Sequence, residues 1–231
     1  METQSPGPVY VVRMSLIFRV QHMLLIFTLL VLAVTGFALM YHENWLGSWL
    51  IQLEGGVLFR GFLHRAAAVF MLAQMVFHAY YMLFSSEGKR EFREVMLRGQ
   101  DFADFLQAIR YNLGIATEYP GIGKYGYKEK FQYWGATTGI FLISITGISL
   151  WAETFSMKFL PKVFLDLALI VHGYQGLLAF VILLLWHVYN EHLHPSVFPM
   201  NNAWLTGKVE AEWLRQEHPL EYEKLKQEGV L

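Results

Sequence analysis

Four long apolar runs separated by polar stretches dominate the chain. They cover about Leu16 to Tyr41, Phe59 to Phe84, Phe131 to Trp151 and Val163 to Tyr189. Crossing a hydrocarbon core takes about 20 helical residues, and each run is long enough. Backbone groups find no water in lipid, so each run predicts a helix that satisfies its own N–H and C=O groups rather than an open strand. The pattern therefore predicts an all-α membrane protein, a four-transmembrane-helix bundle, with residues 1–231 forming a single membrane domain. Residues 85–130 form a long loop, and 190–231 form a tail expected to pack under the bundle. Within the loop, Phe102, Phe105, Leu106, Ile109 and Leu113 recur at helical spacing. Asp101 stands before them as a candidate N-cap and Gly114 after them as a stop. This predicts an amphipathic helix lying on the cytoplasmic membrane surface. The polar segment Met1 to Val12 has no apolar h-region, and the first run passes signal-peptide length without a small-residue cleavage site. That run is read as retained.

Composition sharpens the picture. Apolar residues make up 55% of the chain and charged residues 16%, against about 25% charged for ordinary soluble proteins. A formal net charge of -1 argues against nucleic acid as a partner. Cysteine is absent. Disulfides, thiolate iron–sulfur clusters, thiol nucleophiles and covalent c-type haem are thereby excluded from this chain. Lys89, Arg90, Arg93, Arg98, Arg110, Lys124, Lys128 and Lys130 fall in the 85–130 loop, Arg13 and Arg19 near the N-terminus, and Lys208, Arg215, Lys224 and Lys226 in the tail. The other side has Arg60, Arg65, Lys158 and Lys162. The positive-inside rule then predicts cytoplasmic termini and a cytoplasmic loop. The first and third connections face the periplasm of a bacterial or archaeal inner membrane.

Ionisable residues inside a span are costly, and each marks a functional-site hypothesis. Five histidines fall within the runs: His22, His64, His78, His172 and His187. His64 and His78 are 14 apart, His172 and His187 are 15 apart, so each pair spans roughly 21 or 22 Å and stays within roughly 40 to 60° of one helix face. The second and fourth helices run in the same direction. His64 and His172 thus share the outer level, His78 and His187 the inner one, and His22 joins the inner level from the first helix. Two facing imidazoles at each level suit haem iron. A zinc site would gather its ligands at one point. Gly36, Gly139, Gly147 and Gly176 admit either a flat macrocycle or ordinary close helix packing. Arg60 and Arg65, beside His64, are candidates to pair with haem propionates, with surface snorkelling as the alternative. His42, His192, His194 and His218 are expected at solvent or subunit contacts, His192 and His194 also forming a candidate minor metal site.

Arg19-Val-Gln-His22 followed by an apolar run to Thr35-Gly36-Phe37-Ala38-Leu39, then Arg60-Gly-Phe-Leu-His64, Gly123-Lys124-Tyr125, His172, His187, Gly207-Lys208-Val209 and His218-Pro219 occur in this order. The series resembles the formate dehydrogenase gamma subunits and the related cytochromes b of nickel–iron hydrogenases. The resemblance implies two haems b, the outer held by His64 and His172 and the inner by His22 and His187. It also implies a quinone or menaquinone site beside the inner haem, near His187, Lys124 and Tyr125. The chain departs from the family pattern in three places. The family's fourth-helix histidines are typically 14 apart, its asparagine after Gly-Lys-Tyr is Gly126 here, and His78 is additional. The spacings also resemble cytochrome b of the quinol–cytochrome bc complexes, in which His78 would pair with His187. If His22 ligates, His78 is left for the quinone or a third haem. Phe198-Pro-Met-Asn and Trp204-Leu-Thr-Gly-Lys208 resemble the tails of cytochrome b/b6-domain proteins that accompany multihaem cytochromes c.

The expected function is electron transfer across the membrane between the quinone pool and a periplasmic iron–sulfur or multihaem cytochrome c subunit. The chain would be the electron-transfer subunit of a respiratory oxidoreductase complex rather than its catalytic subunit, with membrane lipid around it. Two alternatives are a stand-alone cytochrome b reductase of a small periplasmic acceptor and a haem-free transporter or assembly factor. Four spans without an inverted repeat speak against a transporter.

Overall fold

A computed structural model describes residues 7–231 of the chain. The first half of the polar N-terminal segment, residues 1–6, lies outside the described residues. The element order is β1 (Tyr10–Val12), α1 (Leu16–Met40), α2 (Trp45–Leu53), α3 (Val57–Phe84), α4 (Ser86–Val95), α5 (Gly99–Asn112), α6 (Tyr127–Trp151), α7 (Glu153–Ser156) and α8 (Lys162–Ile182). Two π turns, Leu183–His187 and Tyr189–Leu193, continue α8; α9 (Ala203–Thr206), β2 (Lys208–Glu210), α10 (Ala211–Glu217) and α11 (Pro219–Gln227) complete the chain.

The four apolar runs are the four long helices. The shortest of them has 25 residues, which at about 1.5 Å per residue exceeds a core about 30 Å thick. Their ends differ from the sequence-based limits for identifiable reasons. The third helix begins at Tyr127, four residues earlier than expected, because Lys128, Glu129 and Lys130 break the apolar run without breaking the helix. Lys130 is buried, its Nζ 2.7 Å from Asp101 Oδ1. That contact also corrects the expected cap. Asp101 is at the third position of α5, not before it: its Oδ2 accepts from the backbone N–H of Arg98 at 2.6 Å. One carboxylate thus satisfies an orphan helix-start donor and a buried cation together, and removing either side of such a buried pair typically costs about 3–5 kcal/mol. Gly114 does end α5, with a positive φ of 71°. On the fourth helix, regular α geometry stops at Ile182 and the wider π turns carry the chain on to Leu193.

The chain divides into two compact units. One comprises residues 21–81 and 135–188 and contains the middle of all four long helices. Its packing order is a ring. α1 meets α3 through hydrogen bonds described below, and Met75 of α3 accepts a weak bond from Ser144 of α6 at 4.0 Å. Gly139 of α6 lies against Gln175 of α8, and Phe180 of α8 packs edge-on to Phe37 of α1, centroids 5.1 Å apart. Few side chains here are buried among protein atoms: 17%, 11%, 6% and 0% of the most apolar window of the four helices in turn. Surfaces that meet lipid tails are built this way, since lipid is as apolar as leucine.

The other unit comprises residues 7–20, Met82–Trp134 and Tyr189–Leu231. Sequence patterning missed much of it, because strands of three residues and helices of seven to nine leave little periodicity. β1 and β2 pair antiparallel with Val11 opposite Val209, and these two valines with Leu214 form a small core. Gly207 is required where the strands meet: its φ is +80°, and a Cβ there would lie 2.5 Å from the Met14 carbonyl oxygen. α5 packs on the start of α6 through Phe102 against Phe131, 5.4 Å, and Phe105 against Tyr127, 5.8 Å. Leu106 on α5 and Leu113 just after it remain exposed.

His218, expected at solvent or a subunit contact, is instead 4% exposed. Its Nδ1 lies 2.7 Å from the Gly123 carbonyl oxygen, so it carries the proton and donates. Arg13 stands 3.3 Å away and also reaches Glu221 at 3.5 Å, while its guanidinium lies over Trp213. A short segment before α1, the loop before α6 and the tail are thereby fastened together. Burial, and then the Arg13 cation, push the His218 imidazole down from its ordinary 6.5 to about 3, against the opposing pull of its bond to Gly123.

An unfolded His218 takes up a proton near pH 6.5, and the folded one resists until about pH 3. In that window the unfolded state binds more protons, so stability falls as pH falls, by up to about 1.4 kcal/mol per pH unit from this group. Glu221, whose carboxyl burial raises, acts in the opposite sense. Protection factors of the tail-helix amides, which remove the intrinsic slowing of exchange in acid, should therefore fall between pH 7 and pH 5 in the wild-type protein and change less in His218→Gln.

Candidate functional site

A polar seam joins α1 to α3. Gln21 Oε1 lies 2.8 Å from His78 Nδ1, Gln74 Nε2 donates to Thr28 Oγ1 at 2.7 Å, and Thr35 Oγ1 lies 2.8 Å from His64 Nδ1. Gln21, Thr28 and Thr35 are seven residues apart, two turns of helix, so they return to one face. Their partners descend α3 in the opposite direction, as antiparallel helices require. Thr28 and Thr35 are 1% and 3% exposed. In lipid, such interhelical bonds contribute about 0.6 to 2 kcal/mol each and fix the register of the pair.

The seam decides how His64 is protonated. The Thr35 hydroxyl spends its one hydrogen on the Val31 carbonyl at 2.6 Å. It can therefore only accept from His64, whose Nδ1 must carry the proton. His172 reaches the same state from α6, with its Nδ1 3.0 Å from the Ile143 carbonyl oxygen and 3.2 Å from Thr146 Oγ1. The Thr146 hydroxyl itself points to the Leu142 and Ile143 carbonyls. In both imidazoles Nε2 is then the nitrogen that offers a lone pair. Gly147 makes room for this arrangement: a Cβ there would stand 2.9 Å from His172 Cε1. Gly139 does the same for the Gln175 side chain at 3.0 Å, whereas a Cβ at Gly36 or Gly176 would make ordinary contact at 3.6 Å. Two of the four candidate glycines are thus demanded by neighbouring side chains.

The histidines come together in two pairs. His64 and His172 have ring centroids 6.2 Å apart at an interplanar angle of 70°, and His22 and His187 are 6.1 Å apart at 66°. His78, the other inner-level candidate, is turned to Gln21. Two nitrogens each about 2 Å from a shared metal stand about 4 Å apart, which carries the ring centres to about 6 Å. Among the described residues no group of three or more His, Cys, Asp or Glu could hold a metal ion. Pairs suffice for a metal whose other donors come from a planar macrocycle, and they do not suffice for tetrahedral zinc. The residues present fit haem.

Arg60 is 8% exposed and reaches inward, donating from Nη1 to the Thr35 carbonyl at 2.6 Å. Among the described residues its Nε is buried without a hydrogen-bond partner. Surface snorkelling does not describe such a side chain. Arg65 is exposed, its guanidinium 5.9 Å from the centre of the Trp151 ring. Lys124 and Tyr125 belong to the other unit, where both bind Glu91: Lys124 Nζ at 2.6 Å and the Tyr125 hydroxyl, donating, at 3.1 Å. Burial and the Glu91 carboxylate push the Tyr125 hydroxyl up, so it stays protonated and able to donate. His194 bonds Ser196 Oγ at 2.8 Å and His192 packs on Trp204, which does not gather them into a metal cluster. Sequence reasoning missed Thr35, Thr146 and Glu91. A threonine in a span is common, and its meaning appears only when the facing helix is known.

Paired histidines on the facing helices of a four-helix membrane bundle define a haem-carrying membrane cytochrome. Comparison with known proteins agrees. The family model described as prokaryotic cytochrome b561 matches residues 13–198, and the chain belongs to this family. It is 22% identical over 217 residues to the cytochrome b556(fdo) subunit of formate dehydrogenase from Escherichia coli strain K12, covering 94% of this chain and 93% of that one. Over 128 residues it is 23% identical to the cytochrome b556(Fdn) subunit of the nitrate-inducible formate dehydrogenase of the same strain, 54% of this chain and 56% of the relative. The chain is therefore a multi-pass prokaryotic membrane cytochrome of electron transport, and its family implies haem b.

Outer hydrogen-bond partners of a metal-bound imidazole typically govern affinity by 10–100-fold. Thr35→Val is expected to weaken haem binding at the His64 level by about that factor and to leave the His22 level intact. Gly147→Ala should displace His172 and lower the same haem. Haem titration of the purified variants, followed by absorbance and by haem per polypeptide, checks both.

Proposed function

We propose that this chain is the dihaem b membrane subunit of a respiratory oxidoreductase complex, passing electrons between the quinone pool and a periplasmic redox partner. The observation that carries the reading is the double pairing of histidines, 6.2 and 6.1 Å between ring centres. The paired residues on α8, His172 and His187, are fifteen positions apart, about 20 Å along a helix. Haem b, when bound, supplies a one-electron iron couple whose potential its axial ligands and surroundings set.

His64 and His172 hold the outer haem and His22 and His187 the inner one. Thr35, Thr146 and the Ile143 carbonyl keep the outer pair in the tautomer that presents Nε2. Arg60, with a buried unpartnered Nε, and Arg65 receive the outer haem's propionates. A guanidinium serves here because it stays charged and offers several donors in a fixed plane. The surplus of lysine and arginine over residues 85–130 and in the tail supports cytoplasmic termini. The His22 level then faces the quinone side of the inner membrane. His78, held by Gln21, is assigned to quinone or menaquinone exchange, and so, separately, are Lys124 and Tyr125, held by Glu91. The relatives named as formate dehydrogenase subunits support partner subunits in a multisubunit oxidoreductase complex, and the partner assigned here is a periplasmic iron–sulfur or multihaem cytochrome c subunit. Moving an electron between the two levels against the potential costs about 2.3 kcal/mol per 100 mV for the full crossing.

The test is a dithionite-reduced minus oxidised spectrum of the purified chain, with haem counted per polypeptide. Two haems b are expected. His64→Ala and His172→Ala should each remove the same haem, and His22→Ala and His187→Ala the other. A colourless protein made with haem available, or pair members that remove different haems, would sink the proposal.

A further inference from the structure

The fourth helix departs from α geometry at two π turns, and the first of them falls where His187 must choose a direction. We infer that the π turn Leu183–His187 is a register device: it aims His187 at α1 instead of α6. This rests on the reading of His22 and His187 as the inner haem ligands.

Fifteen residues separate His172 from His187. In uninterrupted α-helix, at about 100° per residue, His187 would point about 60° past the direction of His172. The structure does not follow that course. α geometry ends at Ile182, and the N–H of Val188 bonds the Leu183 carbonyl five residues back. A π turn spends one residue more than an α turn on the same rotation, so it takes back most of one residue's rotation. His187 then points roughly 30° to the other side of His172.

The bundle gives that difference a meaning. α8 has α6 and α1 as its neighbours, while α3 stands across from it, joined by the His64–His172 pair. Directions on opposite sides of the line to α3 therefore lead to different helices. The observed direction brings His187 to His22 on α1, 6.1 Å between ring centres. The direction of an unbroken α-helix would bring it toward α6. No histidine lies on α6 between Tyr127 and Trp151 to meet it. The wide turn is less favourable than α geometry and persists only where other contacts compensate, which is why such turns gather at functional positions.

Deleting one residue from the wide turn should therefore be tolerated where inserting one is not. ΔLeu184 reduces the separation to one that plain α-helix satisfies, and the purified full chain should keep both haems with an unchanged reduced-minus-oxidised spectrum. An alanine inserted between Leu184 and Leu185 should turn His187 away and halve the haem per polypeptide. The surviving haem should be the one that His64→Ala removes, and its presence reports a folded bundle. Combining that insertion with deletion of Ile182 restores the spacing and should restore the second haem. Loss of the inner haem in ΔLeu184, its retention in the insertion variant, or no recovery in the combined variant overturns the register role. These outcomes are separable from failure of the haem reading itself. That failure shows in the unaltered protein, as absent haem or as His22→Ala and His187→Ala removing different haems.

Discussion

A polar side chain inside a membrane must find its partner on another helix, and this bundle rests on three such partnerships along α1 and α3. Gln21 with His78, Thr28 with Gln74 and Thr35 with His64 recur every two turns of α1, so a slip of either helix by one position would strand all three. The same rungs that set register also set chemistry. The lowest and highest involve imidazoles, and Thr35 dictates which nitrogen of His64 carries the proton. Structure and function share these atoms, so the seam cannot be loosened without altering the site.

The second pair of helices solves the same problem differently. α6 approaches α8 through Gly139 and Gly147, and the backbone of α6, freed of side chains there, presents the Ile143 carbonyl to His172. One imidazole is thus oriented by a hydroxyl and the other chiefly by a carbonyl, with the same result at Nε2. The unit holding the chain's start, the 82–134 segment and the tail uses a third device: ion pairs shielded from water. Asp101 with Lys130, Glu91 with Lys124 and Arg13 with Glu221 tie short elements that bury too little apolar surface to hold alone. Their charges cost desolvation energy, and extra bonds from the Arg98 backbone and the Tyr125 hydroxyl offset part of it.

Legibility in the sequence followed the strength of the periodic signal. The four long helices were readable to within a few residues, because apolar runs of this length have one solution in lipid. Helix α5 was readable too, yet its cap was misplaced, since Arg98 is not a residue type that announces a helix start. The paired strands and α10 and α11 were not readable at all. They exist because distant segments meet, and three residues of β structure carry no pattern.

The sequence by itself determined that the chain spans a membrane four times, that it offers imidazoles at two depths, and that thiolate chemistry is closed to it. These follow from composition and from one-dimensional spacing, which fix depth through the rise of the helix. Which histidine faces which is a question of azimuth, and spacing left two answers at the inner level. Tertiary structure supplied the azimuth. It turned His78 to Gln21, brought His22 to His187, and bent the count on α8 through a π turn that no hydrophobic pattern reveals. Rotation about a helix axis is set by neighbours, and neighbours are known only once the helices have packed.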